Sequence, residues 1–323
     1  MHPIRPARRL TALLIPFLLA VGLSGCGSSS SGSSKPVVST AGTAAAGFPA
    51  TVTVAGATIR VAHRPTTIVS LSPTSTEMLY AIDAGYQVKA VDEYSTYPPQ
   101  APRTKLSGTQ PNVEALIAEH PDLVVIDANR GGLVKRLAAL SVPVLVLPAA
   151  AALDDVYSEI SALGTVTGHA AQARQENDRL RGQIQRILAA GSHVKTSASY
   201  YYELDPTYYT VTSTTFVGQL FKLLGLHSIA DAASGASASG GYPQLSAEFI
   251  VKANPDYVFL ADSLCCKATA ASVAARPGWS AIAAVKQHHV VALNDDIASR
   301  WGPRIVDLLQ TVADAVAGKP AGN

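Results

Sequence analysis

The chain has 323 residues, 25 Lys+Arg against 23 Asp+Glu, 48% hydrophobic and 15% charged residues, and a formal net charge of +2. That is apolar material for a large core and length for about two domains, and it excludes a disordered, highly charged polymer. So slight a basic excess supplies no concentrated cationic surface for nucleic acid, and three Cys are too few for a disulfide framework.

Arg5, Arg8 and Arg9 precede the uncharged run from Leu10 to Leu23. This is the charged and apolar pattern of a secretory signal. As helix the run would reach only about 21 Å, short of a bilayer core of roughly 30 Å. It ends in Leu23, Ser24, Gly25 and Cys26, which resembles a bacterial lipobox. Cleavage before Cys26 and lipidation of its thiol are therefore expected. Gly and Ser dominate the next stretch, then Ala, Gly and Thr up to Ala50. Such a tether is a flexible coil reaching roughly 25–30 Å. The expected order is a signal peptide over 1–25, a lipid-anchored linker over 26–50, and a globular body outside the cytoplasmic membrane.

Thr51–Val54 and Thr58–Val61 read as a hairpin. Ile68 to Leu71 is a short strand, and Thr74 with Glu77 has capping-box spacing for a helix to about Ala84. Val88–Val91 is the next strand. Asn112 caps a helix to Glu119, and Leu123–Ile126, a helix over Leu133–Leu140 and the strand Val144–Leu147 follow. Strands alternating with short helices predict parallel βαβ units. The first lobe is placed at 51–152.

Asp154 to Gly191 reads as nearly all helix, broken near Gly164–Gly168. From His169 to Ala190, Ala170, Ala173, Leu180, Ile184, Ile187 and Leu188 fall at helical spacings. This piece would run about 33 Å. Connecting helices over 153–191 and a second lobe over 192–323 are expected. In that lobe Ser199–Glu203 is read as pairing with Thr207–Thr212, followed by a helix over Phe216–Leu224, the strand Tyr257–Leu260 and a helix from about Pro303 to Ala317.

The most informative pattern is internal. Asn112, Glu114, Pro121, Asp122 and Val124 recur as Ser246, Glu248, Pro255, Asp256 and Val258, each 134 residues on. Each copy is a cap, an amphipathic helix, a Pro-Asp turn and a buried strand. Val144–Leu147 echoes in Val290–Leu293. Glu114 and Glu248 both sit in the first helical turn, where the helix dipole favours a carboxylate. Dipole electrostatics alone accounts for either one. The acidic position shared by both copies also suits docking onto a pseudo-symmetric partner.

No catalytic constellation is present: no Gly-x-Ser-x-Gly elbow, no phosphate loop and no His-Glu-x-x-His. The chain is read as no enzyme. His288 and His289 would point to opposite faces of a strand and converge poorly on a metal. Loops at the carboxyl ends of parallel strands line ligand crevices. Here they carry Ser72, Tyr94, Tyr97, Asn129, Arg130, Tyr242, Asp262, Arg300 and Trp301. The aromatic residues and two Arg suit a large, partly flat, partly anionic ligand. Cys265 and Cys266 either join in a strained vicinal disulfide or stand as two free thiols at the crevice edge. Free thiols there would also allow a redox or enzymatic role on the same scaffold.

Ser70 to Glu77, Tyr94 to Ala101, the Glu114 to Val124 run, Tyr242 to Glu248, and Pro303-Arg304 together resemble the solute-binding proteins of ABC importers for cobalamin and ferric siderophores. The resemblance spans about Ile59 to Val316. It implies α/β architecture, with two Rossmann-like lobes of parallel sheets joined by a long rigid α-helix. It implies a monomer with no cofactor of its own, holding a metal chelate between the lobes, either cobalamin or another corrinoid or a ferric siderophore, with haem a third option. It implies that Glu114 and Glu248 meet Arg residues of a dimeric permease. Gly108, Asn129 and Ile297 stand where the cobalamin binder carries Trp in its cleft. Met78, the only Met after the signal, is read as core.

Overall fold

A computed structural model describes residues 47–191 and 197–319. The expected signal, Cys26 and the linker up to residue 46 lie outside the described residues. The chain enters a hairpin, β1 (Ala50–Val54) paired antiparallel with β2 (Ala57–Val61). It then alternates strand and helix: β3 (Ile68–Ser70), α1 (Pro73–Ala81), β4 (Val88–Val91), α2 (Val113–Ala118), β5 (Leu123–Ile126), α3 (Leu133–Ala138) and β6 (Val144–Val146). The four strands after the hairpin form a parallel sheet in the order β4-β3-β5-β6. All of β3 and β5 is buried, as expected for strands with helices on both faces.

α1 departs from expectation at its start. Ser72, not Thr74, is the cap, its Oγ accepting from Ser75 N at 3.4 Å. Pro73 takes the first helical position, where no N–H is needed. Glu77 therefore lies inside the helix and is buried, 3% exposed, instead of closing a capping box.

α4 (Leu153–Thr167) and α5 (Ala170–Gly191) connect the two sheets. Gly168 separates them at φ 79°. α5 folds back on α4, and Asn177 Nδ2 donates to Tyr157 O and Ser161 Oγ, both at 2.9 Å. The second sheet comprises β7 (Ser199–Glu203), β8 (His227–Ser228), β9 (Tyr257–Leu260) and β10 (Val290–Ala292). It is parallel, in the order β10-β9-β7-β8. Its helices are α6 (Phe216–Leu223), α7 (Ala247–Ala253), α8 (Ala270–Ala274), α9 (Ala283–Lys286), α10 (Asp295–Ala298) and α11 (Ile305–Val316).

The expected pairing of Ser199–Glu203 with Thr207–Thr212 is not formed. β7 lies inside the sheet between β8 and β9, and Tyr200, Tyr201 and Tyr202 are fully buried. β8 takes the outer edge of β7 at Ser199 and Tyr200, and past the strand end Leu204 N donates to Tyr209 O at 3.0 Å. Thr210 and Thr212 instead donate their N–H to Pro243 and Gly241 carbonyls, at 3.0 and 2.8 Å.

The internal repeat is structural as well as sequential. Asn112 and Ser246 cap α2 and α7 through Ala115 N at 2.8 Å and Phe249 N at 3.1 Å. His120 and Asn254 both adopt positive φ, 49° and 50°. Asp122 Oδ2 then accepts from Thr66 N, Thr66 Oγ1 and Thr67 N. Asp256 Oδ2 does the same for Ser199 N and Oγ. Each Asp ties the start of its own strand to the start of the strand beside it.

One hydrophobic core runs through both sheets, α4, α5 and α11, and includes Met78, Val125, Ile160, Leu180, Tyr202, Phe221 and Leu309. Smaller clusters lie on the other face of each sheet. Among the described residues no helix is long and apolar enough to cross a membrane.

Candidate ligand crevice and the arginine latch beside it

β4 and β10 are edge strands of their sheets, and the segments that leave their carboxyl ends meet. Arg300 Nη2 donates to Tyr94 O at 3.2 Å, and Thr96 Oγ1 donates to Asp296 Oδ2 at 3.4 Å. Arg304 lies over the Tyr97 ring, 4.1 Å from its centroid. Beneath them Glu77 accepts from Arg300 Nη1 at 2.9 Å, Arg304 Nε at 2.8 Å and Arg304 Nη2 at 2.6 Å. One buried carboxylate on α1 of the first lobe is thereby held by two guanidiniums of the second. Trp301, between them in sequence, donates its indole N–H to Glu159 Oε2 on α4 at 3.0 Å.

The remaining crevice loops leave β3, β5, β7 and β9. Tyr94, Tyr97 and Tyr242 are 61%, 41% and 45% exposed, with one face of the Tyr97 ring covered by Arg304. Tyr209 and Leu264 are also exposed. The sequence reading missed both. For Tyr209 the signal was the false strand at 207–212, which hid a loop laid against the Gly241–Pro243 segment. Exposed aromatic rings on loops at strand ends are the kind of contact a flat ligand can use.

Several expected ligand residues have other work. Ser72 is a buried helix cap. Asn129 Oδ1 accepts from Val134 N at 3.0 Å. Arg130 pairs with both carboxylate oxygens of Asp127 and donates to Gly108 O at 3.4 Å. Arg300 is spent on Glu77, Asp296 and Tyr94. Trp301 is held by α4. Both arginines expected to face an anionic ligand are thus already paired with carboxylates. Carboxylates close by in space, though distant in sequence for Arg300, have claimed them.

Asp262 is fully buried at the carboxyl end of β9. Its carboxyl is pushed up to about 7, by burial first and then by the neighbouring Glu203 carboxylate. Glu203 is committed to Arg276 through bonds of 2.5 and 2.6 Å. Cys265 and Cys266 are free thiols, both exposed, the second of the two alternatives open from the sequence. The Cys265 thiol is pushed up to about 12, by its hydrogen bond with Cys266, by burial and by Asp295. Asp295 anchors this turn, accepting from Leu264 N at 3.0 Å and Cys265 N at 2.7 Å.

Gly108 approaches Leu71 so closely that a Cβ would stand 2.5 Å from its carbonyl oxygen. No larger residue fits there without moving the backbone. His289 stacks on Tyr257 with centroids 4.6 Å apart, a packing contact. Among the described residues no group of three or more His, Cys, Asp or Glu is placed to hold a metal ion. A separate cavity of about 560 Å³ is lined by Tyr80, Gln100, Arg179 and Arg304, and among the expected ligand residues only Tyr97 borders it.

Glu114 and Glu248 stand exposed in the first turns of α2 and α7. Glu248 is held below the usual carboxylate range by its own N–H and by Ser246.

Two parallel α/β lobes are joined by connecting helices, with ring-bearing loops at their strand ends. Residues 68–297 match the family described as Periplasmic binding protein, and the chain belongs to it. It is 29% identical over 267 residues to the uncharacterized ABC transporter substrate-binding lipoprotein YvrC of Bacillus subtilis (strain 168), covering 80% of this chain and 82% of that one. It is 32% identical over 281 residues to a cobalamin-binding protein of Halobacterium salinarum, covering 84% of this chain and 75% of the relative. Among solved structures, the periplasmic vitamin B12 binding protein BtuF of Vibrio cholerae shares the fold, with a TM-score of 0.65, 24% identity, and coverage of 78% and 96%. The relatives are solute-binding transport proteins, and the chain is read with them as a binder and not an enzyme.

Proposed function

We propose that the chain captures a metal chelate, a corrinoid or a ferric siderophore, between its lobes and hands it to an ABC permease. Cys26 carries a lipid that keeps the protein at the outer face of the cytoplasmic membrane. The observation that carries this reading is the set of exposed rings, Tyr94, Tyr97, Tyr209 and Tyr242, on loops at the carboxyl ends of two parallel sheets. Rings so placed offer flat, largely apolar contact to a macrocycle or a chelate shell.

Delivery needs a second surface, and the repeat supplies one. Glu114 and Glu248 occupy the same position in matched helix-turn-strand units, one per lobe, and both are exposed. Two such carboxylates suit two basic sites on a permease dimer. Complementary charge at an interface rim steers and orients docking.

The test is Glu114→Arg combined with Glu248→Arg. Chelate affinity of the purified protein should stay within about threefold of wild type, since neither residue lies on the crevice loops. Uptake of the labelled chelate by cells should be abolished. Normal uptake by the double variant would rule out the docking role.

A further inference from the structure

We infer that the ligand held between the lobes is an uncharged or cationic chelate and not an anionic one. This rests on the chelate-binding reading above and narrows it. Arginines beside a crevice recognise anions only if their charge is available. Here Arg300 and Arg304, with side chains 10% and 17% exposed, share the buried Glu77 carboxylate. Arg300 also binds Asp296 at 2.7 Å. Arg276 is bound bidentately by the fully buried Glu203. Arg130 is paired with Asp127 inside its own loop.

A ligand carboxylate or catecholate would have to displace one of these partners. For Arg276, Arg300 and Arg304 the partner is the buried Glu203 or Glu77, and removing a buried partner leaves an unmatched buried charge, the most costly outcome for an ion pair. Arg103 and Lys267 also lie on these loops, but both are exposed, and an ion pair in open water holds a ligand weakly. Tyrosine faces have no such objection to a neutral chelate, and they attract a cationic one through the negative face of the ring. A corrinoid with an amide periphery or a ferric trihydroxamate matches this lining. Haem, with its propionates, and a ferric tricatecholate do not.

The experiment titrates the detergent-solubilised full chain with four probes. Cyanocobalamin and a ferric trihydroxamate are uncharged; haemin and a ferric tricatecholate are anionic. Calorimetry is run at low and high salt. At least one uncharged probe should bind about a hundredfold tighter than either anionic probe. Its affinity should not change with salt, because no net ion pairing is involved. Asp127→Ala, which releases the half-buried Arg130, should improve anionic binding by about tenfold. Tighter binding of an anionic probe would overturn the charge inference and leave the binding function standing. Failure of all four probes to bind would overturn the chelate-binding reading and this inference with it.

Discussion

Glu159 shows how a single residue can carry more than its sequence position suggests. It is 3% exposed on α4, and its carboxyl is pushed up to about 7, by burial first, against the Trp301 N–H that favours the charged form. Its unfolded value is about 4.3. Between those two values the folded chain keeps a proton that the unfolded chain releases. Stability therefore falls as pH rises through that window. Above pH 7 the whole penalty is in place, roughly 2–4 kcal/mol for this group. Glu159→Gln keeps an acceptor for Trp301 and removes the charge. Urea denaturation at pH 5 and pH 8 should show the variant gaining on wild type by that amount at the higher pH. An equal pH dependence in both proteins would show that Glu159 does not titrate in this range. Neither the burial of Glu159 nor its bond to Trp301 is legible locally, because the two lie 142 residues apart. Reading Trp301 as a cleft residue was the natural consequence.

At the scale of elements the sequence was a good guide wherever the signal was local. Val88–Val91, Leu123–Ile126 and Tyr257–Leu260 form at the expected residues, since four-residue apolar runs between turn signals leave little choice. The break between connecting helices also falls where glycine marked it. Gly168 sits at φ 79°, and a Cβ there would stand 2.9 Å from Arg64 Nε. Gly168→Ala should cost about 1–2 kcal/mol from the left-handed backbone alone. Thermal melts should show a lower midpoint, and an unchanged midpoint would mean that the α4–α5 turn has another conformation open to it. The failure at Thr207–Thr212 has a different origin. Its alternating residues satisfy a strand pattern, but pairing depends on context; β9 and the start of β8 flank β7, and Thr210 and Thr212 bond the Gly241–Pro243 segment instead. Tyr209 went unnoticed for the same reason.

For the whole molecule the decisive contact is the Glu77 latch. Glu77→Ala would strand Arg300 and Arg304, both mostly buried, without their shared counter-charge. Such a loss typically costs roughly 3–5 kcal/mol. The urea midpoint should drop accordingly, and chelate affinity should fall with it because the Tyr94–Tyr97 loop loses its anchor. A fully stable variant with unchanged affinity would deny the latch its role in holding the lobes. The 134-residue echo, the alternating elements and the paired Glu114 and Glu248 were set by the sequence alone. Hydrophobic period, cap chemistry and turn residues act over a few positions and can be read in order along the chain. The charge of the crevice was decided only by tertiary structure. Glu77 reaches Arg300 and Arg304 across 223 and 227 residues, and no local pattern encodes that meeting. Arg300, which looked like a ligand group, is thereby neutralised together with Arg304, because a buried charge is tolerable only beside its opposite.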